Sequence, residues 1–283
     1  MKKTFFWALS LLITALFAVF QRVTGPTYPL KNTVFIDGGS SAVFFLPRSC
    51  TAGGQDCFIK INSPEKVRGY VSWRRYRTED PWTETAMPYL DGALSARLPG
   101  QPPAGKLEYR VFIKQKKGDL ELYGRSVVVR FKGVVPKAIL APHILFMFLF
   151  MLFSVRIFIT VFTADTVIKH AVILNIIFLI LGGFIFGPLT QYHAFGAYWT
   201  GWPFGHDLTD NKTLLMLMCW LAALYAVFRA REPRPWLLAA FAVTAAVYLV
   251  PHSLLGSELD YSKADTALHQ TSNVQRYKEA DIN

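Results

Sequence analysis

The sequence predicts a mixed α+β membrane protein: an N-terminal signal-anchor helix, an exported β-sandwich domain, then a bundle of four transmembrane helices. Three observations point there. Long Leu/Ile/Phe/Val/Ala runs fill the first twenty residues and the half from about 138 to 255. Apolar stretches of roughly 18 or more residues are long enough to cross the hydrocarbon core as helix. Residues 21–137, by contrast, have the composition of an ordinary soluble domain and break into short β-branched and aromatic runs. The boundaries that follow are 1–21 for the anchor and 28–134 for the β domain. The membrane half covers 137–255 with a rich loop at 187–213, and a polar tail occupies 256–283.

Met1-Lys2-Lys3 followed by TFFWALSLLITALFAVF has the charged start and apolar core of a secretory signal. Ala15 and Ala18 offer no small-x-small cleavage pattern, so an uncleaved anchor is expected. Lys2 and Lys3 then stay in the cytoplasm and residue 21 onward is exported.

Seven runs in the next hundred residues read as strands: TVFID, AVFFL, CFIKI, VRGYVSW, ALSARL, LEYRVFIKQ and LELYGRSVVVRF. Several alternate with period two, and Gly, Pro and Asn-Ser breaks separate them. About seven short strands at this spacing indicate a β-sandwich. The stretch LPGQPPAGKLEYRVFI resembles the corner of a fibronectin type III or immunoglobulin-like domain, where a tyrosine in a Leu-x-Tyr-x-Val strand bonds back to a preceding turn. That resemblance makes Tyr109 the corner tyrosine and Trp73 the candidate core tryptophan. It implies fold and no activity.

Cys50 and Cys57 bracket TAGGQD and form a disulfide candidate in an oxidising compartment. Cys219 lies inside an apolar run and reads as a small buried residue. The net charge is +11, and residues 21–137 supply +9 of it, with 19 Lys/Arg against 10 Asp/Glu. A basic domain tied to a bilayer points to membrane lipids rather than nucleic acid, for which no aromatic-plus-basic motif appears.

The four expected membrane helices cover about 139–162, 168–187, 213–228 and 236–250, the last two short for a span. Arg229, Arg231 and Arg234 crowd one connector, and Arg156 and Lys169 flank another, so both are cytoplasmic. The β domain, the 187–213 loop and the C-terminal tail therefore face the periplasm of a bacterial inner membrane. Arg156 is near the inner interface and is expected to snorkel.

This topology collects titratable residues at one membrane face: His143, His193, His206, Asp207, His252, Glu258 and Asp260. Imidazole and carboxylate groups are ligands for a divalent transition metal, and His143 with His252 would suit bis-histidine haem. No HExxH or CxxC accompanies them, and the EF-hand pattern fails because Lys212 and Met218 occupy its glycine and glutamate positions. The structural alternative makes Asp210 or Asn211 a helix N-cap and the tryptophans and tyrosines an interfacial belt. WTGWPFGHDLTDNKT and VPHSLLGSELDY resemble segments of uncharacterised bacterial integral membrane proteins, which implies no activity.

The function expected from these features is a binding or assembly subunit of a cell-envelope complex, with other envelope proteins as partners and a polar pocket at the outer face. The alternative is a metal-dependent or haem-binding enzyme at that face, and the third reading is a transporter. No catalytic template is present, and Arg156 is the one charge well inside a helix, which leaves an ion pathway without intramembrane carboxylates.

Overall fold

The computed structural model describes residues 2–37, 39–54, 57–163, 168–251 and 258–263. It divides into two compact units. One is Pro29–Lys132 together with the segment that starts at Glu258. The other contains the N-terminal helix and the region from Gly133 to Ser257.

In the first unit the strands are β1 (Leu30–Phe35), β2 (Ser41–Leu46), β3 (Ser49–Thr51), β4 (Phe58–Asn62), β5 (Arg68–Arg75) and β6 (Thr83–Met87). They continue with β7 (Tyr89–Leu90), β8 (Ala93–Arg97), β9 (Lys106–Gln115), β10 (Gly118–Glu121) and β11 (Val127–Lys132). They form a five-stranded sheet, β1-β2-β4-β8-β7, and a six-stranded sheet, β3-β11-β9-β5-β6 with β10 on β9. All pairings are antiparallel except that of β3 with β11.

The period-two pattern explains the packing. Phe44 and Leu46 of β2, Ile59 and Ile61 of β4, and Leu107, Tyr109, Val111 and Ile113 of β9 all point into one core. Each of the seven sequence runs overlaps a strand, and the last reaches from β10 into β11 around Gly124. Short β3, polar β6 and two-residue β7 carry no apolar alternation of their own; they form because a neighbouring strand offers its edge.

Tyr109 is fully buried, and its hydroxyl donates to the Pro47 carbonyl at 2.8 Å. Burial holds this phenol well above its ordinary range. Trp73, opposite Tyr109 in the register, packs half-buried against the core, and its indole N–H reaches Thr85 Oγ1 at 3.2 Å. Cys50 and Cys57 are joined by a disulfide with Cα atoms 5.3 Å apart, linking β3 of one sheet to the residue before β4 of the other. The open face of the six-stranded sheet carries two charge pairs, Arg74–Glu108 at 2.7 Å and Arg110–Glu121 at 3.9 Å.

The second unit contains α1 (Lys2–Thr24), α2 (Lys137–Thr163), α3 (Ile168–Leu179), a π-helical segment (Ile180–Phe186), α4 (Gly187–Phe195), α5 (Leu208–Arg229) and α6 (Arg234–Leu249). Among the described residues, four helices are long and apolar enough to cross a membrane: Lys3–Thr24, Lys137–Thr163, Lys169–Phe195 and Leu208–Arg229. The 16 residues of α6 are shorter.

Two boundaries differ from the sequence reading. The second apolar helix runs through the π segment and on to Phe195, because Pro188 stands in the first turn of α4, where its missing N–H costs nothing. At the other end α5 starts at Leu208, with Asp207 as its N-cap in place of Asp210 or Asn211. The loop expected over 187–213 therefore contracts to 196–207.

The π segment fits against α2 and α5. A Cβ on Gly182 would meet Met147 Sδ at 2.9 Å, and one on Gly183 would meet Thr213 Cγ2 at 2.6 Å. Buried polar groups are matched across the helices: Asn175 Nδ2 donates to Ser154 Oγ at 3.1 Å, Trp220 Nε1 to Thr244 Oγ1 at 2.9 Å, and the Tyr248 hydroxyl to the Met147 carbonyl at 3.0 Å. Arg156 does not extend away from the helices as a snorkelling side chain would. It is buried, bonded to Thr160 Oγ1, with its guanidinium 5.6 Å from the Trp7 ring of α1.

Two predictions test the β unit. Tyr109→Phe leaves the Pro47 carbonyl without its buried partner and should cost about 1–2 kcal/mol in denaturant unfolding. Unchanged stability would mean that this corner bond contributes nothing. The second concerns Asp80, whose carboxyl is held below its ordinary 3.8 by the hydrogen bond from Arg75. Between the folded value and 3.8 the unfolded chain binds more protons, so stability rises with pH across that window. The contribution should be complete above 3.8 and lost as pH falls through the folded value. Unfolding measured from pH 5 to pH 2 should show a shallower acid loss for Asp80→Asn than for the parent.

Candidate functional site

The residues that stand out are those organising the turn between α4 and α5. Helix α4 ends where Gly196 takes a left-handed conformation, φ +83°, and its N–H closes on the Tyr192 carbonyl. The chain then has to reverse within twelve residues, and the backbone groups of that reversal need partners.

Asp210 supplies most of them. In the first turn of α5, its Oδ2 accepts the Thr200 N–H at 2.7 Å, the Gly201 N–H at 3.0 Å and Gln191 Nε2 at 3.2 Å. Asn211 Oδ1 accepts the Trp202 N–H at 2.7 Å. Asp207 Oδ1 caps the helix through the Thr209 N–H at 2.7 Å, while its own N–H goes to the Thr200 carbonyl at 3.0 Å. Three consecutive loop amides thus end on side chains of one helix turn. Both aspartates stand at the start of α5, Asp207 as its cap and Asp210 in its first turn. Gly201 is required for this fit, since a Cβ there would lie 2.5 Å from Asp210 Cβ.

The aromatic residues face the other way. Tyr192 and Tyr198 stack at 4.3 Å, and Trp199 lies on Phe184 and bonds the Trp202 carbonyl. Trp202 is 68% exposed and Phe204 82% exposed. The Trp202–Pro203 peptide is cis.

The other sequence candidates have varied surroundings. His143 places Nδ1 2.8 Å from the Gly182 carbonyl; an oxygen there only accepts, so Nδ1 carries the proton. His193 is half-buried on α4, edge-on to Tyr192, and His206 is exposed in the loop. His252 lies outside the described residues. Among the described residues, no group of three or more His, Cys, Asp or Glu side chains stands together in a metal-holding arrangement.

Glu258 and Asp260 belong to the β unit. Glu258 pairs with Lys106 Nζ at 2.6 Å and Arg77 at 3.6 Å. Burial pushes the Lys106 ammonium down, and Glu258 opposes that shift. The Tyr261 hydroxyl accepts the Lys106 N–H at 2.9 Å and also lies 2.9 Å from the Lys106 carbonyl, and the Leu259 N–H bonds the Ala104 carbonyl at 3.1 Å. Asp260 accepts from Ser262 Oγ at 2.6 Å, which holds its carboxyl below the ordinary range. The segment 258–263 is therefore bound into the β unit.

Sequence reasoning missed Gln191, Thr200, Gly201 and Tyr261. Thr200 and Asp210 are ten residues apart with no shared motif, and Tyr261 meets Lys106 over 155 residues, so neither pairing leaves a local signal.

Comparison of the chain with family models, curated proteins and solved structures finds no match.

The Asp210 bonds generate a direct test. Asp210→Ala strands two backbone amides and should cost about 2 kcal/mol. It should also make the 196–207 loop the first site of limited proteolysis. Asp210→Asn keeps an acceptor oxygen and should fall between the two. A loop equally resistant to protease in Asp210→Ala would remove the carboxylate as its support.

Proposed function

We propose that the chain is a bacterial inner-membrane binding or assembly subunit of a cell-envelope complex, anchored by α1, with its β unit and the 196–207 loop on the periplasmic side. The observation that supports a binding role is how the polar groups of the loop are used. The carboxylate of Asp210 is occupied by loop amides, and that of Asp207 by the start of α5. Glu258 is paired with Lys106. Asp210 Oδ2, Asp207 Oδ1 and Glu258 Oε2 thus each hold backbone or a partner side chain in place, which is a structural use of the carboxylate. What the loop leaves exposed is Trp202, Phe204 and Tyr198. Exposed aromatics on a preorganised frame suit protein recognition, where Trp and Tyr dominate binding energy at little entropic cost.

Topology supports the membrane part of the reading. Because 258–263 is bound into the β unit, the chain between Lys132 and Glu258 has to cross a bilayer an even number of times. Four crossings, by α2, α3 with α4, α5 and α6, satisfy this. Helix α6 then spans although its 16 residues reach only about 24 Å, at the cost of local thinning. The Arg229, Arg231 and Arg234 cluster lies at the α5–α6 connector, as the positive-inside rule requires of a cytoplasmic loop. The Cys50–Cys57 disulfide suits an exported domain. Helix α1 supports the uncleaved anchor: Trp7 packs edge-on to Phe153, Phe17 packs on Tyr248, and Gln21 bonds the Tyr248 carbonyl at the end of α6.

The experiment combines metal analysis and an absorption spectrum of the purified protein with a photo-crosslinking residue at Trp202 or Phe204 in cells. The expected result is a discrete protein adduct from both loop positions and no stoichiometric metal or Soret band. Stoichiometric zinc, copper or iron that is lost on His206→Ala or His252→Ala would replace this reading with the metal-dependent enzyme.

A further inference from the structure

Within the β unit the chain crosses from one sheet to the other at Pro47-Arg48, between the end of β2 and the start of β3. The crossing is held through its backbone. The Pro47 carbonyl accepts from the Tyr109 hydroxyl at 2.8 Å, and the Arg48 carbonyl accepts the Arg130 N–H at 3.1 Å. Both carbonyls of the corner are thus used, and the Arg48 side chain is left over.

The connection from β10 to β11 reaches the same corner. Val127, the first residue of β11, stands opposite Tyr109 in the register, and Tyr123 and Arg125 come just before it. Gly124 between them takes a left-handed conformation, φ +69°, which turns the chain there. The Arg125 guanidinium folds back over Tyr123, 5.1 Å from the ring centroid, and its Nη2 donates to the Tyr123 hydroxyl at 2.9 Å. A hydroxyl that accepts from Arg125 keeps its own proton for another acceptor.

Arg48 is half-buried, and among the described residues its guanidinium has no hydrogen bond and no ion pair. Burial pushes it below its ordinary range; the phenols of Tyr123 and Tyr109 oppose that shift, and the charge of Arg125 adds to it. All three stand within electrostatic reach of Arg48, and no carboxylate is among them. Glu121, the carboxylate closest to Arg125 along the chain, pairs with Arg110 instead. A guanidinium drawn this far out of water carries five donors that normally find acceptors. The corner therefore gathers two cations and a phenol proton, all donors, with the local carbonyls already taken.

We propose that this corner of the β unit is an oxyanion site in which Arg48, Arg125 and the Tyr123 hydroxyl hold a phosphate group. Two guanidinium charges repel one another until an anion lies between them, and a phosphate carries enough charge to answer both. Their forks also present more donors than the two oxygens of a carboxylate can take, whereas phosphate oxygens accept from several directions. Inorganic phosphate and the phosphate of a lipid headgroup share this chemistry. The inference stands on the β unit alone and does not use the membrane topology proposed above.

The test is a phosphorus NMR titration of the purified full chain with inorganic phosphate, in a phosphate-free detergent at fixed ionic strength. Phosphate should bind saturably, and acetate should compete only weakly. Arg48→Gln should lower the affinity about tenfold or more, as a lost charged hydrogen bond does, and Tyr123→Phe several-fold. Arg125 is exposed, so Arg125→Gln, also expected to bind several-fold more weakly, keeps the test open should Arg48→Gln fail to fold. Affinity unchanged in Arg125→Gln overturns the proposal, as does acetate competing as an equal or phosphate failing to saturate in the parent. Repeating the titration in vesicles separates the two sources. Phosphate binding that persists in phosphatidylcholine but is lost when phosphatidylglycerol is added identifies the headgroup as occupant; equal binding in both identifies free phosphate.

Discussion

A single carboxylate oxygen, Asp210 Oδ2, takes two consecutive backbone amides and a glutamine side chain at the place where the chain turns back between two apolar helices. The constraint behind it is general. Backbone polar groups at a reversal between helices need hydrogen-bond partners. Placing the acceptors in the first turn of α5 satisfies the loop. One turn further along α5, Thr213 packs closely on Gly183 of the π segment.

The same solution divides the loop chemically. Its acids and amides are consumed inside, and its large aromatic rings are left outside. In the β unit the division is between faces. The open face of the six-stranded sheet carries the Arg74–Glu108 and Arg110–Glu121 pairs, and the strands of the five-stranded sheet contain no Asp or Glu.

Much of the architecture is legible because it depends on periodicity and length. The apolar alternation of FIKI and LEYRVFI has only one way to meet a core, so β4 and β9 follow from the residues themselves. The helices α1 and α2 follow equally from uninterrupted apolar length. Strands β3, β6 and β7 are not legible, since they are edge or connecting pieces that a neighbour recruits. The helical span of 187–195 is masked by its Gly-Pro start, which in isolation reads as a turn. Of the candidate site, the presence of His206, Asp207 and Asp210 in one rich stretch is visible, but their division of labour is not. Asp207 and Asp210 are both plausible caps by spacing, and the choice between them depends on where Thr200 and Gly201 lie.

The sequence by itself determined the order of the parts, the sandwich character of residues 30–132, the apolar helices and the sign of charge at each connector. These depend on local pattern, composition and the size of a bilayer. Only the tertiary structure decided that Asp210 serves the loop instead of capping α5, that Arg156 turns inward to Thr160 and Trp7, and that Glu258 and Tyr261 return to Lys106. Each of these is a contact between polar groups whose partners are set by three-dimensional proximity. A hydrophobic pattern fixes which face is buried, but a single hydrogen-bonding side chain has no period, and its partner is known only once the elements are in place.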